Sequence, residues 1–153
     1  DTNLSILDSS IRTGNSMADA ILNSKVSLAK AREIDVRVDA HIPVKLKISE
    51  IDLCCILGNL FDNAIDASMA LPPQNRLIRV YMDMKGSRLY ISFTNFTSQK
   101  KLGKLGRVFA TTKGLGHGLG LSRIETIVEK HDGYLSFNSE DGAFTAEILL
   151  PQE

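Results

Sequence analysis

The hydrophobic positions of this chain switch between two periods. In NSMADAILNSKVSLAKARE, Ile21, Leu22, Val26, Leu28 and Ala29 recur at helical spacing, which predicts a first helix over about Asn15 to Arg32, with Asn15 or Ser16 as its cap. IDVRVDAHI then alternates Ile34, Val36 and Val38 with polar residues, the mark of a half-buried strand, and Pro43 limits it. Ser49 opens a long apolar segment with Asp52 three residues on, a capping box with Asp in place of Glu or Gln. That helix runs from Glu50 to about Ala70 and stops at Pro72-Pro73. LIRVYMDM and RLYISFTNF alternate on either side of Gly86-Ser87 and predict a hairpin. Residues 97 to 114 are polar, basic and without sustained period, a mobile loop with room for one helical turn. Gly118 to His131 reads as a helix closed by Gly133 near its C-cap. GYLSFNS and AFTAEILLP form a closing hairpin around Glu140-Asp141-Gly142.

Strands joined by short turns run antiparallel. The element order therefore predicts an α/β two-layer sandwich, a mixed and mostly antiparallel sheet with helices on one face. It excludes a doubly wound parallel sheet. The length of 153 residues suits one domain with a real core. Eighteen basic residues balance 18 acidic ones, so charge offers no argument for nucleic acid or a membrane surface as partner. No apolar run approaches the length of a membrane-spanning helix. Cys54 and Cys55 are adjacent and poorly placed to bridge each other; they read as reduced thiols in a cytosolic setting. The chain opens DTNLSILDSS without methionine. It is expected to be a piece of a longer protein, its first helix leading in from an upstream part.

Three features carry chemistry. In ILGNLFDNAIDAS, Asn59, Asp62, Asn63 and Asp66 cluster on one helix face, and Leu57, Phe61, Ala64 and Ile65 lie opposite. A solvated face is the ordinary reading, yet Asn and Asp are poor helix formers, and their short oxygen-bearing side chains suit a hard cation such as Mg²⁺. In RLYISFTNF, Asn95 continues the face of Leu89, Ile91 and Phe93. It either caps a turn where the strand has ended or lines a pocket, where its amide can pair with an adenine amino group. In TTKGLGHGLGLSRIETIVEKH, glycines alternate at positions 114, 116, 118 and 120 and run into a helix. This is neither a Walker loop nor the dinucleotide fingerprint. Gly118 and Gly120 stand in the first turn, where free N–H groups and the helix dipole favour an anion; Lys113 and Arg123 could add positive charge.

Together these pieces resemble the ATP-binding domain of sensor histidine kinases, in the superfamily shared with DNA gyrase, Hsp90 and MutL. NLFDNAIDAS resembles the N box, FATTKGLGHGLGL the F box and second glycine box, and GAFTAEILLP the last strand. The likeness runs from about Ser49 to Pro151. TGNSMADAILNSKVSLAKAREID and GNLFDNAIDA are most similar to peptide-sensing, Agr-type quorum-sensing kinases.

The resemblance implies a Bergerat-type fold over residues 33–153, with residues 1–32 as the tail of an upstream dimerisation helix and linker. It implies that Asn63 holds Mg²⁺ between the phosphates of ATP and that Asn59 lies near them. Gly116, His117, Gly118, Leu119 and Gly120 form the glycine box under a lid, Lys113 its edge, and Thr145 a position near the adenine. Asp66 stands where many members carry a basic residue. The first glycine box is missing, and Asn95 takes the place of its Asp. Where hydrolysing relatives carry a general-base Glu, this chain has Asn59, which cannot accept a proton from water. Phosphoryl transfer to a histidine is therefore expected rather than rapid hydrolysis. None of His41, His117 and His131 has an acceptor's setting, so the acceptor and its neighbouring acid are expected upstream of Asp1. The implied partners are the dimerisation and histidine-phosphotransfer domain of the same kinase, a response regulator and a second copy of the full-length chain. The implied place is the cytoplasmic side of a membrane-bound bacterial sensor. An anti-sigma-factor-type serine kinase, and an interaction module with degraded nucleotide binding, remain as alternatives.

Overall fold

The computed structural model describes residues 11–98, 103–105 and 118–152. In chain order the elements are α1 (Ser16–Ala31), β1 (Asp35–Ala40), α2 (Glu50–Ser68), a 3₁₀ turn (Pro73–Asn75), β2 (Leu77–Lys85), β3 (Arg88–Phe96), β4 (Gly103–Leu105), α3 (Gly118–Lys130), β5 (Tyr134–Glu140) and β6 (Ala143–Pro151). The strands form a six-stranded sheet in the order β1-β2-β3-β6-β5-β4. Among the described strands the β1–β2 pair alone is parallel; the others are antiparallel. The expected mixed, mostly antiparallel two-layer architecture is the observed one.

Period-two alternation decides which strand residues meet the helices. Ile78, Val80 and Met82 of β2, Leu89, Ile91 and Phe93 of β3, and Ala146, Ile148 and Leu150 of β6 are buried. They join Leu22 of α1, Leu57 and Phe61 of α2 and Ile124 of α3 in one core. Helix α1 belongs to that core, with Ala18, Leu22 and Ala29 fully buried. Both tight hairpins turn on a glycine of positive φ, Gly86 at +62° and Gly142 at +82°, where a side chain would be strained.

The helix starts follow local chemistry. The Asn15 side chain accepts from the Ala18 N–H at 3.1 Å, and Ser49 Oγ accepts from the Asp52 N–H at 3.1 Å. The reciprocal half of the expected capping box is not what occupies Asp52. Its carboxylate takes Lys130 Nζ at 3.0 Å and His131 Nε2 at 3.2 Å, tying the start of α2 to the end of α3. Those two bonds, led by Lys130, hold the Asp52 carboxyl below its ordinary range against the opposing effect of burial.

Helix α3 ends at Lys130, with Gly133 closing it near the C-cap as expected. The left-handed residue is Asp132, at φ +55°, and not Gly133. The Gly133 N–H reaches Val128 O at 2.8 Å and the Asp132 N–H reaches Glu129 O at 3.1 Å, a Schellman closure. Glycine is required at 133 for another reason: a Cβ there would lie 2.6 Å from Leu149 O. Within the stretch read as a loop, Gly103–Leu105 adds an edge strand to β5. Three residues are too few to show a period.

Candidate functional site

The polar stripe of α2 faces three different neighbours. Asp62 turns towards α1 and pairs with Lys25 Nζ at 2.6 Å. Asn59 turns towards α3. Its Nδ2 donates to Cys55 O at 2.8 Å and Cys55 Sγ at 3.3 Å, and its Oδ1 lies 2.6 Å from where a Cβ on Gly120 would stand. Asn63 and Asp66 face a cleft of about 240 Å³ between α2 and the sheet. The apolar back of the helix is as expected, with Leu57, Phe61, Ala64 and Ile65 all buried.

The cleft has an apolar floor and a polar rim. Phe93 of β3 and Phe144 and Ala146 of β6 form the floor, and Leu121 of α3 closes one side. Ring contacts fix the two phenylalanines. Phe61 meets Phe93 edge-on with centroids 5.2 Å apart, and Phe137 stacks on Phe144 at 5.8 Å. Strand β3 continues to Phe96, so Asn95 is not the cap of a turn. It is 4 % exposed, lines the cleft and stands opposite Phe144 in the register. Its Nδ2 donates to Phe96 O at 3.0 Å, which leaves the carbonyl as the accepting end of the amide.

Other expected residues fall elsewhere. Thr145 pairs with Thr94, their hydroxyls 2.9 Å apart. The alternation of β6 puts both on the opposite face of the sheet from Phe144 and Ala146, so Thr145 does not line the cleft. Gly118 and Leu119 open α3, and Gly120 is buried in its first turn. Lys113, Gly116 and His117 lie outside the described residues. Sequence reasoning missed Phe144, Ala146 and Phe137, although the period-two pattern of AFTAEILLP already puts 144 and 146 on the buried face. Cys54 and Cys55 are unbridged. Burial, and then the Glu50 carboxylate, push the Cys54 thiol up, away from the reactive thiolate.

A family model described as the GHKL domain matches residues 48–151. The chain belongs to the GHKL domain family. Membership implies ATP binding. A probable C4-dicarboxylate sensor kinase of Halalkalibacterium halodurans is 28% identical over 147 residues, which cover 91% of this chain and 28% of that protein. The sensor histidine kinase ZraS of Escherichia coli K12 is 32% identical over 128 residues, 80% of this chain and 27% of that protein. The GHKL chain thus spans little more than a quarter of these relatives. Among solved structures, the nucleotide-free catalytic domain of histidine kinase ThkA superposes with a TM-score of 0.71 at 15% identity, covering 92% of this chain and 93% of that one. The Acinetobacter baumannii histidine kinase AdeS gives 0.67 at 13% identity, covering 90% and 64%. These structural likenesses carry the fold.

The donor set of this GHKL domain bears on a metal. Among the described residues no three His, Cys, Asp or Glu side chains converge, so no all-protein cage exists there. A cation in the cleft would take one or two side-chain oxygens from Asn63 and Asp66 and complete its shell with phosphate and water. That arrangement fits Mg²⁺.

Proposed function

We propose that the cleft between α2 and β3/β6 binds ATP with Mg²⁺, as the catalytic domain of a two-component sensor histidine kinase. The observation that carries this is the placement of Asn63 and Asn95, distant in sequence, on facing walls of one cleft with an aromatic floor. An adenine ring suits the Phe93 and Phe144 surfaces, and the Asn95 carbonyl can accept from its amino group. The Asn63 oxygen would hold Mg²⁺, which when bound neutralises developing charge on the phosphates. The first-turn N–H groups of α3 favour the same phosphates.

The acceptor is a histidine upstream of Asp1. A ring nitrogen of that histidine forms the bond to the γ-phosphorus as the bond to the bridging oxygen breaks, and ADP leaves. Within this chain, His131 is engaged by Asp52 and largely buried, which leaves it poorly placed to receive a phosphoryl group. With Asn59 where a general base would stand, positioning and charge do the work.

The full-length protein is read as a homodimer whose phosphotransfer domain and response regulator are the partners. Membership of a membrane-bound sensor, with this domain on the cytoplasmic side, belongs to the same reading. No helix among the described residues is long and apolar enough to cross a membrane. The spelling of GNLFDNAIDA and of the stretch before it supports peptide quorum sensing as the signal class. Residues 1–32 are read as the link to the upstream stem, with α1 packed onto the catalytic domain.

Calorimetry with ATP, with and without Mg²⁺, tests the site. Wild type should bind, and Asn63→Ala should lose the Mg²⁺-dependent part of the affinity. Unchanged Mg²⁺ dependence in Asn63→Ala would remove that residue from the metal site. Labelled ATP should leave this chain unlabelled and label a longer chain that carries the upstream histidine.

A further inference from the structure

Asn59 sits one helical turn before Asn63, yet it does not face the cleft. The two ends of its amide meet different neighbours. The Nδ2 end is held on its own helix by the Cys55 carbonyl at 2.8 Å and the Cys55 thiol at 3.3 Å. With the donor end fixed, Oδ1 points at the first turn of α3 and packs on Gly120. A Cβ at position 120 would stand 2.6 Å from Oδ1, 3.2 Å from Cγ and 3.5 Å from Cβ of Asn59. The first of these is closer than real Cβ contacts come, so while the Asn59 amide keeps this position only glycine fits at 120. Gly120 is itself buried. Its neighbour Leu121 is 3 % exposed and lines the cleft. The far end of α3 is held independently, by Asp52 on Lys130 and His131.

We propose that Asn59 is a positioning residue for the nucleotide site, with Cys55 setting its amide and Gly120 receiving it. It seats the first turn of α3 on α2, and that turn's N–H groups then face the phosphates. In this arrangement Asn59 touches no phosphate. The inference rests on the ATP reading of the cleft and reassigns one of its residues.

The two roles for Asn59 give opposite results in a double-mutant cycle. Mg²⁺-ATP affinity is measured by calorimetry for wild type, Gly120→Ala, Asn59→Ala and the double variant. Gly120→Ala drives its new methyl into the Asn59 amide and should weaken binding on the order of tenfold. Asn59→Ala removes the obstacle and the polar seat, at a cost of about threefold. The double variant should bind more tightly than Gly120→Ala alone, because the methyl then has room. Cys55→Ala, which frees only the thiol side of the amide, should have a smaller effect in the direction of Asn59→Ala. A phosphate-contacting Asn59 predicts the reverse: Asn59→Ala is the most damaging single change, and the double variant is no better than either single one. That result would overturn the proposal.

Amide hydrogen exchange without nucleotide gives a second readout. Gly120→Ala should speed exchange at the Arg123 and Ile124 amides, and adding Asn59→Ala should slow it again. If Gly120→Ala fails to fold, recovery of folding in the double variant reads the same contact; no recovery counts against it. If wild type binds no ATP while the exchange pattern holds, the ATP reading fails and the seat of α3 on α2 stands.

Discussion

Among the described residues helix α2 has two helical neighbours, and they are attached by different means. Helix α1 lies against it with Ala18, Leu22 and Ala29 fully buried in the shared core, and through the Lys25–Asp62 pair at 2.6 Å. The segment before α1 is strapped down as well: Thr13 N–H donates to Asp19 Oδ1 at 2.7 Å, and Ile42 N–H donates to Thr13 O at 2.8 Å. Helix α3 also buries an apolar seam, with Leu121, Ile124 and Val128. Its cleft end, however, meets α2 through a glycine against an asparagine amide. Glycines cost helix stability and allow close approach. One neighbour is built as a support and the other as a wall of the site. Stability and ligand affinity should therefore respond separately to changes in the two.

The largest effect should come from the two leucines that anchor these helices. Leu22→Ala should cost about 3 kcal/mol in urea unfolding and leave the ATP affinity of the folded protein unchanged. Leu121→Ala should cost a similar amount and also weaken ATP binding, because Leu121 lines the cleft. Equal losses of affinity in both variants would break the comparison. Next in size is Gly133→Ala. Its methyl would press on the Leu149 carbonyl, and backbone cannot swing aside, so about 2 kcal/mol of stability should be lost. A normal urea midpoint would show that β6 gives way there.

Lys25→Met tests the polar part of the α1 attachment. The pair is partly exposed, 21% at Lys25 and 41% at Asp62, so the loss should be about 0.5–1 kcal/mol and shrink in high salt. The smallest expected effect is at Asp52, which joins the far end of α3 to α2. Its carboxyl is held below the ordinary value of 3.8. A depressed folded-state pKa contributes stability above the unfolded value, and this is lost as pH falls through the folded one. The urea midpoint of wild type should therefore drop at the acid end, and Asp52→Asn should flatten that limb. An identical acid limb in the variant would mean that Lys130 and His131 do not hold α3 in solution.

How much can be read from the chain follows the range of the interaction involved. The caps at Asn15 and Ser49 act over three residues, and both are where local pattern puts them. Alternation alone places Asn95 on the buried face, since period two holds along a strand whatever its neighbours are. The same rule, applied to AFTAEILLP, points to Phe144 rather than to Thr145. No periodicity shows that the polar stripe of α2 divides: Asn59, Asp62 and Asn63 share a face on a helical wheel, and only the surrounding elements separate them. At the close of α3, Asp132 takes the left-handed position, and the glycine beside it is required against Leu149 of a strand far along the chain.

The sequence by itself determined the element types, the helix starts, the apolar faces and the mixed sheet, because each depends on contacts within a few residues or on a fixed repeat. It also supplied the Asn and Gly motifs that mark the GHKL family. The tertiary structure decided which of those residues meet. It set Asn63 across a cleft from Asn95, turned Asp62 to Lys25, pressed Asn59 against Gly120 and drew Asp52 to Lys130 and His131. Such pairings join residues far apart in the chain, and their distances come from packing helices on a sheet, which no local pattern encodes.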